Sequence, residues 1–538
     1  MDLSKRLIIT QPMYFSEPSR DCGYCKGVKQ DDSQYYSLDS WETSKGKTGD
    51  THYNCTMGFH CESMSVKMYD KLCNNGFRRS GTFLYKPDLL RSCCRLFTIR
   101  TTPDQVTLTK ELKSCVKRFK KYVGVSADAN TSRKNKPFDY IDIILNTQIR
   151  SKRFYTRFEP AIFTKEKYQL FAKYQEKVHN DFKHSESGFK RFLCDAPFDD
   201  NVIQGTNEEW ESLNSIFTSK ETKVKAYRLG PVHECYYFDD KLIAIGVLDF
   251  MPSGISSVYF IWDPDYKHWS LGKLSALKEL TLLSQMGLPY YYLGYYVDDC
   301  PKMNYKAGYG GELLDIVNLK YVPLNYLKTK KIIDGGKLFI MRNFDKNVLS
   351  ENTINMNVSL DKIGVNEFPT MKDLDNLNNV AEKLYGLHPG SGEFNDLSKI
   401  IQELKKLGVC YTLDLQDDIL EFVRRYKLDK YRDEIEDKMD EEWESEVGEE
   451  EIHNYIDSRL KFPNVVPGLI PLAELLTMIK ENKLSELNGR LFLFDLAVHR
   501  IRPIFNILEE SPEILTMLCN LVRVLGLEMA KKCLVILN

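Results

Sequence analysis

Cys22-Gly23-Tyr24-Cys25 and the adjacent pair Cys93-Cys94 are the residues whose spacing says most about chemistry. Two thiolates two residues apart can grip one metal ion from a tight turn, and a second close pair completes a four-sulfur site suited to zinc or to an iron–sulfur cluster. Both occupants stay open on spacing alone, and buried thiols are the plainer alternative. His52, Cys55, His60, Cys61 and Cys73 lie between the pairs as further donors, more than one site needs. The segment GFRRSGTFLYKP at 76–87 packs Arg78, Arg79 and Lys86 around Phe83 and Tyr85. Guanidinium groups suit phosphate and carboxylate oxygens, and aromatic rings stack on exposed bases. The segment is therefore expected to touch RNA, to hold an acidic residue, or to form a basic surface strand.

Farther along, GPVHECYY at 230–237 sets His233 beside Glu234 and Cys235. An imidazole or carboxylate there could take a proton from an attacking amine and a thiol could carry an acyl group, although most solitary histidines do neither. SLGK at 270–273 places a glycine and Lys273 at a helix start, where free N–H groups favour an anion. Neither it nor GYGG at 308–311 has the spacing of a phosphate-binding loop, so no nucleotide cofactor is expected.

These residues need a frame. Residues 1–125, basic and punctuated by Gly23, Gly27, Gly58 and Gly76, suggest a small module of strands and short helices, closed by the polar run SADANTSRKNKP at 126–137. From 138 the pattern turns α/β. Tyr168, Phe171, Tyr174 and Val178 recur at helical spacing, and KLIAIGVLDF (241–250) and SVYFIW (257–262) read as strands around the turn Pro252-Ser253-Gly254. Leu274, Leu277, Leu280, Leu283 and Met286 then line one helix face, Gly287 ends that helix, and PYYYLGYYV (289–297) is a further strand. Strand, strand, helix, strand is the core order of an N-acetyltransferase-like (GNAT) acyltransferase, an α/β (α+β) fold, though other α/β folds share it. The division expected is 1–137 as an N-terminal cysteine-rich metal-binding domain and linker, 138–345 as the transferase core, and 346–538 as a mostly helical region with an acidic insert near 429–451.

Over 538 residues, 43% hydrophobic and 28% charged composition fits a globular chain of two or three domains. No run of about 18 uncharged apolar residues occurs, so neither a signal peptide nor a membrane span is expected. A cytoplasmic or nuclear place follows, where thiols stay reduced, which turns the 14 cysteines towards metal ligation. The net charge of −2 hides two opposed segments: about 28 basic against about 16 acidic residues in 1–157, and about 3 against about 13 in 429–451. A basic N-terminal part is what phosphate contacts require, and equally what a solvated surface shows.

Taken together, RDCGYCKG, NNGFRRSGTFLYKPDLLRSCCRLFTIRT, SKRFYTRFEPA, KRFLCDAPF, GPVHECYY, PSGISSVYFIWDPDYKHWSLGKLSALKEL, YYYLGYYVDDCPKMNYKAGYGGELLD and PNVVPGLIPLAELL resemble, in order and spacing, the eukaryotic arginyl-tRNA–protein transferases of fungal type. The resemblance implies an acyltransferase-like core related to bacterial leucyl/phenylalanyl-tRNA–protein transferases, with the family's cysteines falling on Cys22, Cys25, Cys93 and Cys94. It implies arginyl-tRNA as co-substrate, acceptor proteins beginning with Asp, Glu or oxidised Cys, and a ubiquitin ligase that reads the product. On these motifs, direct attack of the acceptor α-amine on the arginyl ester is expected, with His233 and Glu234 to take the proton. Tyr292, Tyr295 and Tyr305 are expected to position substrate, Lys302 and Lys306 to meet the tRNA end, and Asp249 or Asp298 to receive the arginine guanidinium. Arg78, Arg79, Lys86, Ser257, Tyr259 and Lys273 complete the expected substrate and tRNA contacts. Two other readings fit parts of the pattern: a non-catalytic module that binds acidic N-termini through Arg78 and Arg79, and an acetyltransferase using coenzyme A.

Overall fold

Apolar alternation at the two ends of the chain brings those ends together in one sheet. A computed structural model describes residues 2–19, 22–25, 52–90, 92, 94–124, 137–218, 227–336, 338–341, 349–350, 353–354, 365–367, 397–409, 412–413 and 460–537. The run at 126–136, Cys93 and the acidic stretch 429–451 lie outside the described residues.

The chain opens with strands β1 (Leu7–Thr10), β2 (Met13–Ser19) and β3 (His52–Ser63), helix α1 (Val66–Asn74), and the hairpin β4 (Arg78–Ser80) and β5 (Phe83–Pro87). Strand β6 (Phe97–Thr101) and helices α2 (Lys110–Val123) and α3 (Tyr140–Arg150) follow, then β7 (Phe154–Glu159) and α4 (Lys165–Tyr174). Next come β8 (Gly230–Phe238), β9 (Lys241–Met251), β10 (Gly254–Trp262), α5 (Leu271–Met286), β11 (Tyr290–Tyr296), the short helix α6 (Pro301–Asn304), β12 (Glu312–Asp315) and β13 (Lys320–Pro323). Near the C-terminus stand β14 (Phe492–Asp495), β15 (Arg500–Pro503) and β16 (Cys533–Leu537).

The first sheet has eight strands in the order β15-β14-β16-β1-β3-β5-β4, with β2 also on β3. Its centre is a parallel ladder between the two ends of the chain, Leu7↔Cys533 to Thr10↔Ile536. The region expected to be mostly helical thus supplies three strands beside helices such as Leu472–Lys480 and Pro512–Leu525. The physical reason is visible in CLVIL, where β-branched residues suit a half-buried pleat and Cys533, Leu534 and Val535 are buried.

The second sheet runs β13-β12-β6-β11-β10-β9-β8-β7, extended beyond β13 by two two-residue strands. Strand β6, from the cysteine-rich part of the sequence, is inserted between β11 and β12. Both expected strands around Pro252-Ser253 form, as does the strand after α5. Helix α5 is buried almost all round and stops at Gly287, whose φ of 68° is the left-handed cap that glycine adopts without cost. The helix predicted around Phe171 ends in its regular form at Tyr174 and continues as a π-helical turn to His179; Phe171 and Tyr174 are buried, whereas Val178 is exposed. Along β8 the side chains alternate, so that Cys235 packs on the α4 side and Tyr236 on the other. Among the described residues no helix is long and apolar enough to cross a membrane.

Because β16 is paired on both sides, by β1 and by β14, deleting residues 533–538 removes two ladders and three buried side chains. The expected loss is roughly 5 kcal/mol, read as a lower melting temperature and faster proteolysis of the first sheet. An unchanged melt would show that the two ends do not pair.

Candidate active site

A parallel ladder that stops while its strands continue creates an opening in a sheet. Strands β10 and β11 pair only through Gly254↔Tyr290, Ile255↔Tyr291 and Ser256↔Tyr292, yet β10 runs on to Trp262 and β11 to Tyr296. Their approach at the start is so close that a Cβ on Gly254 would lie 1.8 Å from the Tyr290 carbonyl oxygen. Beyond it both strands are bulged, β10 between Ser257 and Tyr259 and β11 between Tyr292 and Tyr295. Bulges re-aim side chains and end pairing, which is how a sheet makes a cleft.

On the α1 and β4 side of the opening, the three cations expected on a basic strand are buried, Arg78 at 5%, Arg79 at 4% and Lys86 at 2% exposure. Arg79 makes a bidentate pair with Asp249, Nε to Oδ2 and Nη2 to Oδ1 at 2.7 Å each. Asp249 is thereby fully engaged, and its carboxylate does not face the gap as a receptor for arginine. Lys86 donates to the Gly468 carbonyl at 2.9 Å, a contact with the C-terminal part of the chain.

Arg78 differs from both. Its Nη1 donates to the carbonyls of Cys73 and Phe77, while Nε and Nη2 are buried with no hydrogen-bond partner among the described residues. The guanidinium lies 5.7 Å from the Tyr292 ring centre and 5.6 Å from that of Tyr295, where β11 leaves β10. Lys306 joins it there, donating to the Tyr295 carbonyl at 2.7 Å; burial first and Arg78 second bring its pKa down to about 7.

His233 is 0% exposed. Its Nδ1 is 3.0 Å from the Lys167 ammonium, which also pairs with Glu159 at 2.7 Å, and its Nε2 is 2.9 Å from the Leu193 carbonyl. Only a neutral ring that accepts at Nδ1 and donates at Nε2 satisfies both neighbours. Burial and the adjacent Lys167 charge accordingly lower its pKa to about 3. Glu234 points to the opposite face, accepting from the Tyr236 hydroxyl at 3.0 Å and lying 3.4 Å from Lys278, with burial raising its pKa. Sequence reasoning missed Glu159 and Lys167, although Glu159 lies opposite His233 in the β7–β8 register.

The cysteines converge as their spacing suggests. Cys22, Cys25 and Cys94 are buried, and their sulfur atoms all lie within 4.8 Å of one another, with Cys22 and Cys94 at 3.7 Å. Two sulfurs on one tetrahedral ion with bonds of ~2.3 Å stand about 3.8 Å apart, so the thiols fit such an ion. No other cluster of three potential ligands occurs among the described residues. Cys73 instead accepts from Arg78, and Cys61 is buried on β3. One contact was not anticipated: the Cys300 thiol donates to the Tyr24 carbonyl, inside the cysteine turn, at 3.3 Å. Cys300 is also the N-cap of α6, the segment that leads to Lys306.

The remaining expected residues divide. Tyr292 donates to Asn74 at 2.7 Å and Tyr295 to the Gly76 carbonyl at 3.2 Å, fixing α1 against β11. Asp298 is held by Tyr296 and lies 3.4 Å from Lys328. Tyr259 packs on Phe192 and Tyr174, whereas Lys273 pairs with Glu111 on α2. Lys302 and Tyr305 are exposed.

Known sequences align with this arrangement. The family described as "Arginine-tRNA-protein transferase, N terminus" matches residues 20–114, and "Arginine-tRNA-protein transferase, C terminus" matches residues 166–315. The chain is 42% identical to arginyl-tRNA–protein transferase 1 of Saccharomyces cerevisiae over 99% of both chains. It is 36% identical to arginyl-tRNA–protein transferase 2 of Arabidopsis thaliana over 37% of this chain and 32% of that one. An aspartate/glutamate leucyltransferase of Stutzerimonas stutzeri is 31% identical over 49% of this chain and 86% of its own length. With a relative matched from end to end at that identity, and both family segments falling on the cysteine turn and the split sheet, the chain belongs to the arginyl-tRNA–protein transferases, a family of aminoacyltransferases.

Proposed function

We propose that the opening between β10 and β11 is where the arginyl ester of a tRNA meets the α-amine of an acceptor protein, and that Arg78 holds the acidic side chain of the acceptor's first residue. The observation that carries this reading is the Arg78 guanidinium, buried beside the opening with Nε and Nη2 lacking partners among the described residues. A buried cation with open donors is costly unless a ligand completes it, and a carboxylate or sulfinate matches the guanidinium fork. Asp, Glu and oxidised Cys share that chemistry. The bacterial relative's name pairs an aspartate or glutamate acceptor with leucine, so an acid-reading site suits a core that the two chains share.

The core β8-β9-β10-α5-β11, with its parallel pair split past Ser256, supports an N-acetyltransferase-like acyl site. The acceptor nitrogen attacks the ester carbonyl carbon, and the ribose oxygen leaves. An activated ester is exchanged for an amide, so the step needs no nucleotide. Lys273, Lys302 and Tyr305, at the first turn of α5 and on the α6 segment, suit the tRNA end. An N-terminal arginine so made would be the feature that a ubiquitin ligase reads.

Cys22, Cys25 and Cys94, with Cys93, are read as the metal ligands. Sulfurs this close favour one zinc-like ion over a four-iron cluster, in which each thiolate binds a different iron. Such an ion would close the 22–25 turn on the Cys94 segment. A thiolate site of this kind suits a reducing compartment such as the cytoplasm.

Four measurements test these assignments. Labelled arginyl-tRNA should pass its arginine to a peptide beginning with Asp and far less to one beginning with Asn. Arg78→Met should lower kcat/KM for the Asp peptide by about 30- to 5,000-fold, the 2–5 kcal/mol typical of a severed buried charge contact; equal rates for both peptides would remove Arg78 from acid recognition. Cys25→Ser should lose the metal found by elemental analysis of anaerobically purified protein, and full retention would exclude the site. His233 stays neutral in the fold while an unfolded histidine gains its proton near pH ~6.5, so the unfolded state binds more protons between about 3 and about 6.5. Stability should therefore rise with pH by up to about 1.4 kcal/mol per unit across that window, and His233→Gln should flatten that slope while leaving the pH–rate profile in place.

A further inference from the structure

The reaction needs a group to take the proton that the attacking nitrogen sheds, and the two residues expected to do so are enclosed elsewhere. His233 has both ring nitrogens engaged, and Glu234 faces Lys278 and Tyr236 on the α5 side of the sheet. We propose that Lys306 is that proton acceptor.

Three observations place it. Among the described residues, Lys306 Nζ donates a single hydrogen bond, to the Tyr295 carbonyl, at the bulge where β11 has parted from β10. Gly294, in that bulge with φ of 78°, leaves room before it: a Cβ built there would meet only Lys306 Nζ, at 3.8 Å. No carboxylate forms an ion pair with Lys306 among the described residues, so nothing there holds it as a permanent cation. The charged and titratable groups around it are Arg78 from β4, Tyr295 from β11, with Tyr85 of β5 and Tyr24 of the cysteine turn behind Tyr295, and Tyr305 beside it in sequence. Arg78 is the one charge among them, and it works against a second cation. The direction of the Lys306 shift, to about 7, agrees with this surrounding. A neutral amine keeps an N–H on the Tyr295 carbonyl and turns its lone pair to the space at Gly294.

The inference rests on the arginyl-transfer reading above. As the acceptor nitrogen bonds to the ester carbonyl carbon, its proton passes to Lys306 Nζ. When the bond from that carbon to the ribose oxygen breaks, Lys306 returns the proton to the departing oxygen, so amine plus ester become amide plus alcohol and Lys306 ends as it began. The same group serves as base and then as acid.

Lysine and arginine separate this role from simple charge, since arginine remains protonated. Single-turnover transfer from arginyl-tRNA to a saturating Asp-headed peptide is measured against pH for the wild type, Lys306→Arg and Lys306→Ala, with peptide affinity read by fluorescence anisotropy. Lys306→Arg is expected to bind the peptide within about threefold of wild type yet to transfer about 100- to 10,000-fold more slowly. Lys306→Ala is expected to recover arginyl-peptide formation on addition of ethylamine, in proportion to the neutral fraction of that amine. Transfer by Lys306→Arg within about threefold of wild type overturns the proposal, as does a loss of peptide binding that accounts for its whole defect, or indifference of a folded Lys306→Ala enzyme to added amines. If wild-type protein transfers no arginine at any pH, the functional reading itself falls, a result distinct from each of these.

Discussion

The buried pair between Arg79 and Asp249 fixes the relation on which the site depends. Two charges with almost no exposure are tolerable only as partners, because either one left alone in the interior carries a desolvation penalty of several kcal/mol. The pair ties the β4–β5 hairpin of the first sheet to β9 of the second, at a point where the fork of one side chain meets both oxygens of the other. Adjacent residues in a strand point in opposite directions. Anchoring Arg79 therefore dictates where Arg78 goes, against Tyr292 and Tyr295 at the mouth of the opening. An ion pair of this kind contributes less through net stability than through the single arrangement it permits, since its replacement by apolar groups would remove the geometric restriction with the charges.

Arg100 shows the same principle one strand away. Its guanidinium is flanked by the rings of Tyr290 and Tyr321 at 3.7 and 3.5 Å, and it donates to Glu312 and Asn74. Four elements, β6, β11, β12 and α1, and the neighbouring β13 are thus gathered around one planar cation. Together with the Tyr292 contact to Asn74, this sets the distance between α1 and β11. Where sheet hydrogen bonding stops, at the split strands, side-chain bonds of this sort carry the alignment instead.

What the sequence disclosed follows from which interactions are local. The strands around Pro252-Ser253, the α5 leucines and the Gly287 stop depend on neighbours in the chain, and their periodicity is visible in the letters. Cys22 and Cys25 were legible because the spacing of a ligand pair is a local constraint as well, whereas Cys94 joins them from a distant part of the chain. The C-terminal strand was not, since CLVIL becomes a strand only when β1, more than 500 positions away, offers a ladder. For the site the same divide applies. His233 reads as a base until Lys167 and the Leu193 carbonyl occupy its nitrogens, and neither partner is near it in sequence. Arg78 and Arg79 are adjacent letters with different fates, decided by Asp249 reaching one and no carboxylate among the described residues reaching the other.

The Cys300 contact gives the cysteine turn a structural consequence beyond its own module. Its thiol holds the Tyr24 carbonyl, and its backbone carbonyl accepts from the Met303 and Asn304 amides that open α6. Following α6 the chain turns through Tyr305 to Lys306, whose amine returns to the Tyr295 carbonyl. The segment is therefore held at two points, one on the turn between Cys22 and Cys25 and one on the bulged end of β11. A thiol–carbonyl hydrogen bond is weak, so on its own it transmits little; a metal-closed turn would stiffen the carbonyl it presents and so narrow the range of α6 positions. On that logic the cysteine turn and the cleft proposed for acyl transfer are parts of one alignment, and the burial of Cys22, Cys25 and Cys94 against the core is what makes the connection mechanical.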